Sequence, residues 1–328
     1  MTRYILRRIA ASALVLLLIS LAVYLLFFSS AVDPARVMCG RPCYPDRLAQ
    51  IKAFMQTDRS AFVQWVDFVK GLFVGRTFGA GNEAIHCAAP CVGFSFELRQ
   101  PVTQLIWQRL PITASIALGA IVVAVALGMS GGVLAALRRN TWVDQLLRGL
   151  TLVLIATPTY LLGLLALLVF GFYLNSVPVS GYVPFAESPL DWAWHLVTPW
   201  FVLGALFAAS YLRFARNQML DELGGDHLLA LRATGAPRRS VLRVARRGVW
   251  VPITTMVGLD IAGLLGGAVF TERVFGIHGL GELLIDAVSR RDLGLVVGTS
   301  LFGAALVIVA NLVVDIAQGL IDPRIRRG

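Results

Sequence analysis

Along the chain, long apolar stretches alternate with short basic ones. Six stretches are almost free of Asp, Glu, Lys and Arg: Ile9 to Val32, Leu110 to Leu137, Gly149 to Ala186, Trp192 to Leu212, Gly248 to Thr271 and Leu293 to Val314. The first holds 24 residues. As a helix it would measure about 36 Å, enough to cross a hydrocarbon layer of about 30 Å. The third is long for one span, and Asn175, Pro178, Ser180 and Gly181 mark a loop near its end. The fifth is interrupted only by Asp260. The pattern predicts an all-α integral membrane protein with about six transmembrane helices.

The first apolar run is too long for a signal-peptide core, and no small-x-small cleavage site follows it before Asp33. It is expected to remain as a span. Arginines set the orientation. Arg3, Arg7 and Arg8 precede span one, and Arg138, Arg139 and Arg148 separate spans two and three. Eight arginines from Arg213 to Arg247 separate spans four and five, and Arg324, Arg326 and Arg327 close the chain. The connection between spans three and four has only Glu187 and Asp191. With both termini in the cytoplasm, every arginine cluster falls on the positive side. The organisation expected is a cytoplasmic start and first span over 1–32, an extracellular segment over 33–109, and a membrane core over 110–328. A cytoplasmic loop occupies about 214–250 of that core.

Composition agrees. Mean hydropathy is +0.74, 57% of residues are hydrophobic and 15% are charged, against roughly 25% charged in soluble domains. The net charge of +10 need not signal nucleic acid, because the arginines flank apolar runs.

All four cysteines lie in the 33–109 segment, as Cys39 with Cys43 and Cys87 with Cys91. Outside the cell, disulfides are the natural reading. Three pairings are open, with pairing inside each Cys-x-x-x-Cys favoured. A metal site with His86 beside Cys87 is the weaker rival.

Catalytic motifs are missing. There is no phosphate loop, no His-Glu-x-x-His and no Gly-x-Ser-x-Gly elbow. His195 and Ser210 share a segment, but at about 22 Å apart along a helix they form no catalytic pair. No catalytic residue and no metal or cofactor site is expected in the chain.

The stretch from Met219 to Val251 is amphipathic and long for a connection. Gly235-Ala236-Pro237 breaks it into a short helix and a basic helix leading to Pro252. Such a knob suits either docking of a cytoplasmic partner or a basic helix on anionic lipid. Asp260, a carboxylate in mid-span, is expected to face a polar cavity or a partner. Gly128 to Gly132 and Gly263 to Gly267 read as close helix contacts.

Asp226-His227-Leu228-Leu229-Ala230-Leu231-Arg232-Ala233-Thr234-Gly235 resembles the cytoplasmic coupling motif of the dipeptide/oligopeptide permeases of ABC transporters. Where that motif carries Glu-Ala-Ala, this chain has Leu229-Ala230-Leu231. Further similarity lies in Arg109-Leu110-Pro111-Ile112-Thr113, Pro178-Val179-Ser180-Gly181-Tyr182, Gly266-Gly267 with Glu272, Arg291-Asp292, Asn311 to Asp315 and Asp322-Pro323-Arg324. The resemblance covers most of the chain outside the cysteine-bearing part. It implies a type I importer permease in a bacterial plasma membrane, carrying peptides or similar small solutes. The implied partners are a second homologous permease, two ATPase subunits that hold ATP and Mg, and an extracellular substrate-binding protein. It also implies ATPase-coupling roles for Asp226, Leu229, Arg232, Ala233 and Gly235. Asp260 is a candidate for the translocation pathway. The competing class is a secondary transporter working without an ATPase. It would predict inverted repeats and several intramembrane charges, and neither is visible.

Overall fold

The computed structural model describes residues 2–28, 34–40, 42–55, 59–79, 84–265 and 268–321. Asp33, Gly266-Gly267 and the Asp322-Pro323-Arg324 motif lie outside the described residues. The fold is helical. Among the described residues five helices are long and apolar enough to span a membrane: α1 (Thr2–Phe28), α5 (Val102–Leu137), α8 (Pro189–Gly224), α10 (Arg238–Leu265) and, after the short helices α11 (Val269–Val274) and α12 (Leu280–Ser289), α13 (Leu293–Ile321). The sixth candidate is broken. Helix α6 (Trp142–Ala156) and helix α7 (Thr159–Ala166) with its π-helical continuation Leu167–Tyr173 meet at 105°. The cause is Pro158, which pushes Thr157 out of the helical region; both residues have extended backbones.

Helix α5 starts at Val102, eight residues before the charge-free run does. Arg109 and Pro111 both lie within it. A single arginine near a helix end can send its head group toward the interface, so charge marks the apolar run and not the helix.

The chain divides into two compact units, 1–113 with 265–269 and 279–328, and 114–264 with 270–278. In the first, α1 packs against α13 and against α4 (Ala61–Val74). Tyr24 stacks on Phe28 and lies against Phe68, and Trp65 donates to Ser20 Oγ at 2.9 Å. Arg8 pairs with Asp315 at 2.7 Å, so the start of α1 meets the far part of α13.

The other described residues between 34 and 101 pack onto α1 and α13. They include α2 (Pro34–Cys39), α3 (Pro45–Met55) and two short antiparallel hairpins. In one, β1 (Arg76–Phe78) pairs with β2 (Ile85–Cys87); in the other, β3 (Phe94–Ser95) pairs with β4 (Gln100–Pro101). Cys39 is bonded to Cys43, and Cys87 to Cys91. Cys87 and Cys91 are buried with Phe78 and Phe94. Asp292 ties the segment to α13. Its carboxylate accepts from Ser95 Oγ and from the backbone N–H of Glu97 at 3.2 Å. It also accepts from the N–H of Leu295 at 3.1 Å, capping α13.

In the second unit α8 is central. Gly128, Gly131 and Gly132 of α5 lie against Tyr211, Leu212 and Ala215 of α8. A methyl group at any of them would come within 2.7 Å of a side-chain atom there. The small residues let the two helices approach closely. Gly263 was read from sequence as another such contact. It meets nothing within 4 Å, because it lies on an open face of α10.

Candidate functional site

The arginine-rich end of the second unit carries the candidate site. Helix α8 runs without interruption to Gly224, and Gly225 then breaks it with an extended backbone. A short helix follows, α9 (Asp226–Ala233). Asp226 in its first turn and Arg232 in its last complement the helix dipole.

The turn after α9 closes in a specific way. The N–H of Gly235 donates to the carbonyl of Arg232 at 3.0 Å, and that of Ala236 donates to Leu231 at 3.4 Å. Gly235 has φ +78°. This paired pattern, with a left-handed residue just past the helix, is the Schellman closure that favours glycine. Leu231 and Ala236 pack on the same core, the apolar contact that accompanies it. Then α10 begins at Arg238 and continues through Pro252 into the apolar span. The basic helix expected to lead up to Pro252 is therefore the first part of that span's own helix.

Helix α9 is anchored chiefly by Leu228, with Leu231 partly buried against the same core. Leu228 is fully buried among Met129, Val133, Ala215, Met219, Val241 and Ala245, drawn from α5, α8 and α10. Asp226, Leu229, Ala230 and Ala233 lie on the opposite face and are exposed; Leu229 is 50% exposed. Arg232, also exposed, donates to the carbonyl of Leu223 at 3.2 Å. The five residues singled out from sequence thus lie together on one small helix and its turn.

Behind α9, α6 is bolted to α8 by an ion pair. Arg216 Nε donates to Asp144 Oδ1 at 2.7 Å and its terminal nitrogen donates to Oδ2 at 2.8 Å. Arg148 stands 3.4 Å from the same carboxylate, and the N–H of Asn140 donates to it at 3.1 Å. Asp144 is completely buried. This two-pronged geometry is the strongest that arginine makes with a carboxylate. Sequence reading treated Arg148 and Arg216 only as orientation signals and passed over Asp144. The available signal was a lone acid between Arg139 and Arg148.

Asp260 lies farther along α10. Its Oδ2 accepts from the Tyr211 hydroxyl at 2.6 Å. Tyr211 is fully buried, and its Cβ lies where a side chain at Gly128 would be. The missing side chain in α5 makes room for a tyrosine of α8, which in turn holds a carboxylate of α10. Asp260 stays partly exposed. Tyr211 was not foreseen as its partner. The cysteines belong to the other unit and to a separate structural role.

The pattern of the binding-protein-dependent transport system inner membrane components matches residues 128–327, and the N-terminal pattern of the same membrane components matches 1–117. A protein of Brucella abortus named as a putative peptide transport system permease is 36% identical over 328 residues, covering 99% of both chains. Dipeptide transport system permease proteins of Lactococcus lactis and Escherichia coli K12 are each 31% identical, over 99% of this chain and 100% and 99% of theirs.

Proposed function

The chain belongs to the family of binding-protein-dependent transport system inner membrane components, and from that premise we propose that it imports di- or oligopeptides, or similarly small solutes, as the membrane-spanning subunit of an ATP-driven transporter. The peptide assignment is supported by the names of its full-length relatives. The chain is a permease and not itself an enzyme. ATP and Mg belong to two partner ATPase subunits. A second homologous permease and an extracellular substrate-binding protein complete the assembly. Both termini and α9 face the cytoplasm of a bacterial plasma membrane, and the 33–109 segment faces outward.

The observation that carries this reading is α9 itself, a helix held by Leu228 on one side and bare on the other. An exposed apolar and small-residue face flanked by charges suits docking into a groove of a partner. In this reading Asp226, Leu229 and Ala233 enter the ATPase groove, and Arg232 meets a carboxylate there. Closure of the ATPase dimer on ATP then moves α9, and the core under Leu228 passes the movement to α5, α8 and α10. The spans shift between two states, each favoured by one nucleotide condition. Gly235 supplies the left-handed turn without which α9 and α10 could not fold back on one another. Asp260, held by Tyr211, lines the pathway and offers a carboxylate to a substrate amine.

The test is a gentle-detergent pull-down of the tagged chain expressed with its genomic neighbours, followed by an ATPase assay. Co-elution of a second permease and ATPase subunits with ATP turnover is expected. A chain that purifies alone without bound ATPase would overturn the reading in favour of a self-sufficient transporter. For Asp260, replacement by Asn should alter uptake differently for cationic and neutral peptides. Identical uptake would remove it from the pathway.

A further inference from the structure

The first turns of α10 carry an arrangement that the coupling role does not use. Val241, Ala245, Val249 and Ile253 form its buried stripe. Arg239, Arg243, Arg246, Arg247 and Trp250 fall outside that stripe and line a shallow open groove. All five are exposed, Trp250 at 47%. None of the four arginines has an acidic partner among the described residues. Arg239 also sits in the first turn of the helix, which holds no acid. Cations are disfavoured there by the helix dipole and anions favoured. Four like charges on one groove without an acidic partner among the described residues call for an external anion.

The aromatic member says which kind. Trp250 lies within a turn of Pro252, where the apolar part of α10 takes over. Exposed tryptophan at such a boundary suits the membrane interface, with its ring among glycerol and acyl groups. Val244, 42% exposed beside the arginines, suits lipid better than water. A protein carboxylate partner would explain the charges but not the tryptophan and valine. We propose that Arg239, Arg243, Arg246, Arg247 and Trp250 form a binding site for the head group of an anionic phospholipid. The arginines take the phosphate and the indole lies against the glycerol region. The lipid would steady the start of α10 at the level where the Gly235 turn joins it.

The experiment places the full-length chain in nanodiscs of zwitterionic phosphatidylcholine containing a minor share of either brominated phosphatidylglycerol or brominated phosphatidylcholine. Bromine quenches nearby indole fluorescence. The contribution of Trp250 is the difference between the wild type and Trp250→Phe. Stronger quenching of that contribution by the anionic lipid is expected, and millimolar inorganic phosphate should not relieve it. The preference should fall roughly fivefold for each arginine removed in the series R243Q, R246Q and R247Q, and the corresponding Lys variants should keep most of it. Circular dichroism confirms that each variant is folded. Equal quenching by the two lipids would overturn the proposal. So would relief by phosphate, or quenching unaffected by lipid charge but abolished by added ATPase subunits. The measurement uses neither nucleotide nor peptide, so its failure would leave the importer reading untouched.

Discussion

Asp144 and Asp292 are both withdrawn completely from solvent, and their surroundings differ in kind. Asp144, in the unit that carries α9, is met by a guanidinium from a neighbouring helix, with a second arginine close by. Asp292, in the unit that carries the disulfides, is met by a serine hydroxyl and two backbone N–H groups. One carboxylate joins two long helices through charge. The other closes the end of one helix and clips a loop to it with neutral donors. Removing a partner therefore has unequal consequences, since a lone buried charge is costlier than a lost hydrogen bond.

The largest effect should follow from Asp144→Ala. It strands Arg216, 13% exposed, in the protein, and should cost about 3–5 kcal/mol. Thermal unfolding of the purified chain in mild detergent would show it. The double variant D144M/R216M should recover most of that loss, because no buried unpaired charge remains; Arg148, the other cation beside Asp144, is 48% exposed. A double variant as unstable as the single one would refute the ion-pair account. Next comes Asp292→Ala, which removes a cap and the Ser95 contact and should cost about 2 kcal/mol by the same measurement. A loss equal to that of Asp144→Ala would erase the distinction between the two sites.

Gly235→Ala should cost about 1 kcal/mol, with Gly235→Asn costing less, because asparagine tolerates the left-handed region. Nothing lies within 4 Å of the added methyl, so the penalty is conformational. A glycine-equal alanine would mean that the turn relaxes. The smallest effect belongs to a third carboxylate. Asp315 pairs with Arg8 while 32% exposed, and Arg8→Gln should shift stability by less than about 1 kcal/mol.

These sites also show what the chain reveals before it is folded. The spans were legible because length and hydropathy are local properties. The turn at Gly235-Ala236-Pro237 was legible for the same reason, since a glycine and a proline punctuate the backbone wherever they stand. The bend at Pro158 was hidden because charge marked the limits of the spans, and Thr157-Pro158-Thr159-Tyr160 breaks the apolar run without a charge. The start of α5 was misplaced because Arg109 looks like a boundary and is not one. Asp144 with Arg216, and Tyr211 with Asp260, join residues 72 and 49 positions apart. No periodicity or spacing links them, and only the packing of α5, α6, α8 and α10 brings them together. Of the candidate site, then, the segment from Asp226 to Gly235 could be read directly, and the groups that hold it in place could not.

Helix α10 begins three residues after Gly235 and carries Asp260 near its other end. Its 28 residues make a rod about 42 Å long, so a tilt of about 5° about one end would sweep the other through roughly 4 Å. In mechanical terms it is a lever. Its handle is the arginine-rich turn, its working tip bears a carboxylate, and the core around Val249 and Ile253 is where a fulcrum would sit.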